Sequence, residues 1–278
     1  MALERTQTIA NQVRRDVVDL TYQAGTAGAH IGGSLSMVEM LSVLYCDILK
    51  YDKHNMGAES RDRVVFSKGH AAMALYAVLH RVGILSDKDA ESFRVDGSLI
   101  ASHPHMSEQL GIEFSSGSLG LGLSQAVGSA VGLKLKGNNQ SKVYVLLGDG
   151  ECDEGSVWEA AMSATNFGLD NVVAIIDNNE LQLDGRTDDI MMLGDLKAKW
   201  ESFGWQVVDV DGHDVKELYT VISEAVKNQV KPLLFLAHTI KGKGISFIEN
   251  QPQWHVGMLN SKLYNKAIEE LEAEHDVQ

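Results

Sequence analysis

The residues with the clearest potential for chemistry are Gly148-Asp149-Gly150, which directly follow the apolar segment 143–147. Two glycines permit a tight turn and let a phosphate group approach the backbone. A carboxylate beside a phosphate repels it unless a cation lies between them, and Mg²⁺ binds carboxylate, carbonyl and phosphate oxygens together. Asp149 is therefore a candidate metal ligand, although Gly-Asp-Gly taken alone is more often only a turn.

A second set of oxygen ligands follows the next strand-like segment. Asn179 lies 30 positions after Asp149, and the chain beyond it turns, so that the backbone carbonyl near Leu181 can point the same way. Ligands of parallel sheets lie beyond the carboxyl ends of the strands. We therefore expect Asp149, Asn179 and the Leu181 carbonyl to converge on Mg²⁺, for which Ca²⁺ or Mn²⁺ can substitute.

The sequence contains ten histidines, and His30, His70, His103 and His255 each stand in a short motif with glycine, serine, proline or tryptophan. Imidazole titrates near neutral pH and can exchange protons with hydroxyl and carbonyl oxygens. A single histidine is more often a surface or core residue, so the interpretation depends on the four acting together. The remaining histidines that we considered are assigned no role: His80, His105, His213 and His238.

Alternating strand-like and helix-like segments must position these residues. Helical spacing predicts a first helix over Leu3–Gln23, and Ser34 is expected to cap a second helix that ends near Leu49. Apolar strands are predicted at 143–147, 172–176, 205–210 and 233–237, with helices at 71–82, 155–167, 194–203 and 214–228. This alternation predicts an α/β fold: a doubly wound, mostly parallel sheet with helices on both faces.

Composition excludes several classes of function. The 278 residues carry a net charge of −14, which argues against binding to nucleic acid or to an anionic membrane. The N-terminal residues have no apolar signal segment, and no apolar run approaches a membrane span. Cys46 and Cys152 lack partners at disulfide or metal spacing. We expect one globular domain over residues 1–278 in a reducing, cytoplasmic setting.

The stretch from Gly148 to Asn179 resembles the thiamine-diphosphate signature, and several further motifs resemble those of transketolases in the same order along nearly the whole chain. These motifs are Gly28-Ala29-His30, Ser67-Lys68-Gly69-His70, Ser102-His103-Pro104, Gly117-Ser118-Leu119-Gly120-Leu121-Gly122, Lys241-Gly242-Lys243-Gly244 and Trp254-His255. The resemblance implies the fold that binds the cofactor's pyrophosphate. The implied reaction transfers a two-carbon ketol unit between sugar phosphates.

The resemblance also implies roles for individual residues. Asp149, Asn179 and the Leu181 carbonyl would bind the metal ion. Contacts with thiamine diphosphate would come from His70, Gly117, Ser118, Leu119, Gly150 and Lys241. The residues facing the substrate and the reactive carbon would be His30, His103 and His255. Arg94, nine positions before His103, resembles an arginine that contacts substrate, and Glu154 and Glu159 resemble acidic residues at the family's subunit interface.

One part of the family's active site has no counterpart in this sequence. Transketolases need a glutamate against the cofactor's aminopyrimidine ring, and it lies on a pyrimidine domain that is followed by a C-terminal domain. We expect both domains on a partner chain, as in split transketolases. The expected assembly is a heterotetramer of two such chains and two C-terminal subunits, with self-association through this chain.

Two alternatives remain open at this stage. The chain can belong to another thiamine-diphosphate enzyme, of the deoxyxylulose-phosphate synthase or two-oxoacid dehydrogenase type, because both share the Gly-Asp-Gly…Asn pattern. It can also be a non-catalytic regulatory half that binds the cofactor. Ser118, Leu121 and Ile31-Gly32 depart from the family's usual residues, which leaves the sugar substrate open.

Overall fold

The computed structural model describes residues 2–275. The strands are β1 (Arg63–Phe66), β2 (Val143–Gly148), β3 (Val172–Asn178), β4 (Gln206–Asp211) and β5 (Leu233–His238). The α-helices are α1 (Ala2–Gln23), α2 (Ile31–Leu35), α3 (Val38–Val43), α4 (Ala72–Arg81), α5 (Asp87–Ala90), α6 (Gly122–Leu135), α7 (Gly155–Asn166), α8 (Thr187–Ile190), α9 (Leu196–Ser202), α10 (Val215–Lys227) and α11 (Ser261–His275).

The strands form one parallel sheet in the order β1-β2-β3-β5-β4. Gly148 pairs with Asp177, and Asn178 pairs with His238, so β2, β3 and β5 end side by side. Because all the strands run in the same direction, the residues that follow them emerge at one edge. The predicted α/β fold is confirmed, and its motifs meet at that edge.

The strand residues alternate between two apolar cores. Tyr144 and Leu146 face the core formed with α1 to α4, α10 and α11. Val145 and Leu147 face the second core, formed with α6, α7 and α9. A parallel sheet covered on both faces needs apolar side chains in both directions, which explains the continuous apolar runs in the sequence.

The start of the second helix differs from the prediction. The helix begins at Ile31, directly after His30, and Ser34 lies buried inside it, where its hydroxyl donates to the His30 carbonyl at 2.8 Å. Two backbone hydrogen bonds of 2.9 and 2.8 Å between Ala29 and Gly257 fix the chain immediately before His30. Ser34 is therefore not a helix cap, and His30 stands at the helix start.

Across the described part of the chain, residues 2–275, no helix has the length and apolar character needed to cross a membrane.

Candidate active site

A cavity of about 360 Å³ lies beyond the carboxyl ends of the strands. It gathers the residues predicted to contact the metal, the cofactor or the reactive carbon, except Ser118: His30, His70, His103, Gly117, Leu119, Asp149, Gly150, Asn179, Leu181, Lys241 and His255. Ser118 is exposed and lines a neighbouring cavity of about 250 Å³ instead. Of the loop 117–119, therefore, Gly117 and Leu119 face the common cavity.

Asp149 is a buried carboxylate held by backbone amides. Its Oδ1 accepts from the Gly150 N–H at 2.8 Å, and its Oδ2 accepts from the Glu180 N–H at 2.5 Å. Burial, together with the negative charge of Asp177, raises the pKa of Asp149 to about 7. A divalent cation at this carboxylate would favour its charged form, which fits a metal ligand.

Asn179 and Leu181 offer neutral oxygens next to this carboxylate. The Asn179 Nδ2 donates to Asp177 Oδ2 at 3.0 Å, which orients its Oδ1 towards the Leu181 N–H at 3.1 Å. The Leu181 carbonyl accepts a hydrogen bond from Lys241 Nζ at 3.0 Å, so this oxygen already contacts a cation. Carboxylate, amide and carbonyl oxygens are hard ligands of the kind that Mg²⁺ binds.

This oxygen set contains a single carboxylate. Within residues 2–275, no group of three or more His, Cys, Asp and Glu side chains is arranged to hold a metal ion. A metal at Asp149, Asn179 and Leu181 would therefore depend on further oxygens from a bound phosphate or water, as Mg²⁺ sites at phosphates usually do.

A buried ion pair lies beneath the oxygen set. Lys68 Nζ donates to Asp177 Oδ2 and, at 3.0 Å, to the Gly33 carbonyl. Asp177 also accepts from Ser36 Oγ at 2.6 Å and from Thr239 Oγ1. Burial alone would raise the pKa of Asp177. Lys68 and these hydroxyls lower it by more than burial raises it, so the pKa lies below its usual value. Through these contacts the ion pair connects the segment around α2 to the ends of β3 and β5.

Glu151 joins three of the motif loops. Its Oε1 accepts from Ser67 Oγ and, at 2.8 Å, from the Gly120 N–H, while its Oε2 accepts from the Gly148 N–H at 3.1 Å. The loop that contains Gly117 also approaches Gly69 so closely that a Cβ at residue 69 would lie 2.7 Å from the Gly117 nitrogen. Glycine is therefore required at position 69 for this packing.

The four predicted histidines form one cluster. The ring centroid of His30 lies 5.5 Å from that of His70, 5.5 Å from that of His103 and 5.4 Å from that of His255. The His70 and His255 rings stack at 5.0 Å. Positions 30, 70, 103 and 255 thus meet around one point of the cavity.

Burial keeps these imidazoles neutral at pH 7. It is the main cause that lowers the pKa of His30 to about 4 and that of His255 to about 3, with neighbouring cations and histidines adding to it. Burial likewise lowers the pKa of His103, and it lowers that of His70 well below the usual value. Each neutral ring offers one N–H donor and one acceptor nitrogen.

Lys241 connects the oxygen set to the histidines. Its Nζ donates to the carbonyls of Leu181 and Gln182 at 3.0 and 2.9 Å, and it lies 3.0 Å from His255 Nδ1. Because an ammonium can only donate, His255 Nδ1 is the acceptor and its proton lies on Nε2. Burial lowers the pKa of Lys241 to about 8.

Arg94 lies at the edge of the histidine cluster. It is exposed and adopts a positive φ of 61°, and its Nη1 donates to the Gly28 carbonyl. Its charge contributes to the lowered pKa of both His30 and His103. A contact between Arg94 and the substrate stays a prediction.

Comparison with known proteins identifies the family. The family profile described as "Transketolase, thiamine diphosphate binding domain" matches residues 5–274. The chain belongs to the transketolase family. The resemblance drawn from the motifs, to the N-terminal, cofactor-binding part of transketolase, is confirmed.

The relatives of this transketolase-family chain fall into two groups by length. It is 40% identical over 265 residues to the 6-deoxy-6-sulfo-D-fructose transketolase subunit SqwG of Clostridium sp. (strain MSTE9), covering 95% of each chain. It is 38% identical to one of the subunits of the apulose-4-phosphate transketolase of Phocaeicola vulgatus, covering 98% of this chain and 95% of that one. Human transketolase is 36% identical, but the match covers 97% of this chain and 42% of the human protein.

A solved structure gives the same result. Transketolase from Campylobacter jejuni superposes with a TM-score of 0.86 at 32% identity, over 98% of this chain and 43% of that protein. The fold of this chain is thus shared with part of a longer enzyme of the family.

Two groups in the site were missed by reasoning from the sequence. Lys68 and Asp177 both lie in motifs that drew attention, yet neither received a role. Asp177 directly follows the apolar strand residues 172–176, and a carboxylate at that place needs a buried partner. That signal identifies Asp177 but cannot name Lys68, which is 109 positions away.

Proposed function

We propose that this chain is the N-terminal subunit of a split transketolase. It would transfer a two-carbon ketol unit from a ketose phosphate to an aldose phosphate, with thiamine diphosphate and Mg²⁺, or Ca²⁺ or Mn²⁺ in its place. The observation that carries the proposal is the single cavity in which four neutral histidines face a buried carboxylate with neutral oxygens beside it.

The oxygen side of the cavity fits the metal and the diphosphate. Asp149, Asn179 and the Leu181 carbonyl would bind the metal ion. The residues assigned to the cofactor are His70, Lys241, Gly150 and the backbone of 117–119. A Cβ at residue 150 would lie 2.5 Å from Gln182 Cγ, so only glycine fits at this turn. The buried ammonium of Lys241 and the open Gly150 turn both suit an anionic group.

The histidine side fits the proton transfers of ketol transfer. The cofactor, when bound, supplies the electron sink for breaking and forming the carbon–carbon bond. His30, His103 and His255 would hold the sugar hydroxyls and move protons onto and off their oxygens. Neutral imidazoles suit this role because each can accept a proton at one nitrogen and donate from the other.

The proposed partner is a C-terminal subunit that supplies the pyrimidine domain and its glutamate. Two relatives of about the same length carry the word "subunit" in their names, whereas human transketolase is more than twice as long. In this proposal residues 1–278 form one domain, two copies associate with each other and with two partners, and the complex works in the cytoplasm.

The reaction class can be tested on the complex with its partner subunit. We expect ketol transfer from a ketose phosphate such as xylulose 5-phosphate to an aldose phosphate such as ribose 5-phosphate, or between other members of these two classes. Pyruvate should not be decarboxylated. Decarboxylation of pyruvate without ketol transfer would replace the proposal with a two-oxoacid dehydrogenase or deoxyxylulose-phosphate synthase type of activity.

A further inference from the structure

Three side chains outside the active-site cavity form one connected group behind Lys241. They are Arg14 of α1, Glu39 of α3 and His213, which lies between β4 and α10. Arg14 and Glu39 are buried, with 7% and 6% of their side chains exposed, and His213 is 13% exposed. They line a second cavity of about 620 Å³, which Lys243 and Gly244 of the loop 239–244 also line.

Glu39 is the centre of this group. Its Oε1 accepts from Arg14 Nη2, and its Oε2 lies 2.9 Å from His213 Nδ1. Burial alone would raise the pKa of Glu39. Arg14 and His213 lower it by more than that, so the carboxylate is charged at neutral pH. A buried charge with two partners keeps its geometry because the loss of either partner is costly.

The two partners of Glu39 hold the loop on both sides of Lys241. His213 Nε2 accepts from the Ile240 N–H at 2.8 Å, and Arg14 Nη1 donates to the Lys243 carbonyl. Between these two points the Gly242 N–H donates to the Gly32 carbonyl at 2.9 Å. The backbone that carries Lys241 is therefore fixed before and after the lysine.

The hydrogen bonds also determine the tautomer of His213. A backbone N–H can only donate, so Nε2 must be the unprotonated nitrogen. The ring proton then lies on Nδ1 and points at Glu39 Oε2. The hydrogen-bonded chain thus runs from the Arg14 guanidinium to the Glu39 carboxylate, then to the neutral His213 imidazole. It ends at the backbone amide of Ile240, and each group orients the next.

Arg14 links this loop to the helix that follows His30. Its Nη1 also donates to the carbonyl of Leu35, the last residue of α2, at 3.1 Å. Within α2, a Cβ at Gly32 would lie 3.2 Å from Lys241 Cγ, so the helix and the lysine stem are packed closely. One guanidinium thus contacts both segments that bring His30 and Lys241 to the cavity.

We propose that Arg14, Glu39 and His213 are positioning residues that act through Lys241 on the diphosphate end of thiamine diphosphate. This inference rests on the proposed function for the contact between Lys241 and the cofactor. The tied loop places Lys241 Nζ between the Leu181 and Gln182 carbonyls and His255. Loosening the loop would let the ammonium move away from all three.

A double-mutant cycle tests this route. The dissociation constant of thiamine diphosphate at saturating Mg²⁺ is measured by calorimetry, in the complex with the partner subunit, for wild type, His213→Ala, Lys241→Ala and the double variant. His213→Ala should weaken binding by roughly tenfold, because it removes the acceptor of the half-buried Ile240 N–H and releases the loop. In the Lys241→Ala background the same change should matter less than about twofold.

Conservative variants separate positioning from general stability. His213→Gln should bind the cofactor within about threefold of wild type, since its amide can accept from Ile240 and donate to Glu39. The side chain of His213→Asn is too short to reach both Ile240 and Glu39, so this variant should resemble His213→Ala. It replaces the alanine variant in the cycle if that variant does not fold. His54→Ala removes an exposed histidine and should leave binding unchanged.

The outcomes separate this inference from the proposed function. Equal losses from His213→Ala in both backgrounds, or no rescue by His213→Gln, would overturn the route through Lys241. Failure of the wild-type complex to bind thiamine diphosphate would overturn the proposed function instead. Amide hydrogen exchange then decides the positioning role: faster exchange at Ile240 and Gly242 in His213→Ala supports it, and unchanged exchange at Gly242 contradicts it.

Discussion

The two sides of the cavity are built differently. On the oxygen side, Asp149 and Asn179 directly follow β2 and β3, and backbone amides hold the Asp149 carboxylate. On the other side, His30, His103 and His255 stand on turns and loops far from the sheet in sequence. The oxygen side is fixed by sheet register, whereas the histidine side depends on how separate segments pack. We therefore expect the first to govern cofactor binding and the second turnover.

The largest effect is expected on the oxygen side. Asp149→Ala should abolish Mg²⁺-dependent binding of thiamine diphosphate in the assembled complex, because it removes the one carboxylate proposed to bind the metal. Calorimetry with and without Mg²⁺ measures this directly. Asp149→Asn keeps the shape without the charge and should fail similarly, whereas Asp96→Ala, at an exposed position, should bind normally. Unchanged affinity in Asp149→Asn would remove the metal assignment.

On the histidine side the expected loss is in turnover. His255→Ala should lower kcat by roughly 100-fold or more, the usual contribution of a proton-transferring group, while the affinity for thiamine diphosphate changes much less. Steady-state kinetics at saturating cofactor, combined with calorimetry, separates the two quantities. His54→Ala is the matched control. If cofactor affinity falls and kcat at saturation does not, His255 belongs with the oxygen side.

The two sides should also differ in the sign of their pH dependence. The pKa of His30 is lowered to about 4, so the unfolded chain binds more protons between pH 4 and 6.5, and stability falls as the pH is lowered through that range. The pKa of Asp149 is raised to about 7, so the folded chain binds more protons between its usual pKa and 7, and stability falls as the pH rises.

Thermal unfolding from pH 4 to 7, without metal or cofactor, tests this contrast. Relative to wild type, His30→Gln should lose less stability towards acid pH, and Asp149→Asn should gain stability towards neutral pH. If both variants changed the slope of stability against pH in the same direction, the electrostatic contrast between the two sides would be wrong.

The smallest effect is expected at Ser118, which is exposed outside the common cavity. If the loop 117–119 contacts the cofactor through its backbone, Ser118→Ala should change the dissociation constant of thiamine diphosphate by less than about twofold. Gly117→Ala should weaken binding more, since residue 117 has a φ of 152° that a side chain disfavours. A strong effect of Ser118→Ala would instead indicate a side-chain contact.

The same contrast explains what could be predicted from the sequence. Apolar strands followed by Asp149 and Asn179 predict convergence, because parallel strands end at one edge. The histidines were recognised through motif resemblance, and spacing alone could not have brought positions 30 and 255 together. The prediction of Ser34 as a cap is wrong because capping preference is local, whereas the pairing of Ala29 with Gly257 joins two distant parts of the chain.

Long-range polar contacts were beyond sequence reasoning for the same reason. His213 received no role, yet it contacts Glu39, which is 174 positions away, and the Ile240 amide. Lys68 and Asp177 form a pair across 109 positions. Each partner alone reads as an ordinary polar residue, and the pairing exists only once the sheet and its covering helices have been assembled.

We propose above that this chain provides one half of an active site, which contains both sides of the cavity but needs a partner. Titrating the partner subunit into a fixed amount of the chain, with thiamine diphosphate, Mg²⁺ and sugar phosphates present, tests it most directly. Ketol-transfer activity should be absent without the partner, rise with each addition and saturate at equimolar amounts. Robust activity of the purified chain alone would contradict the claim.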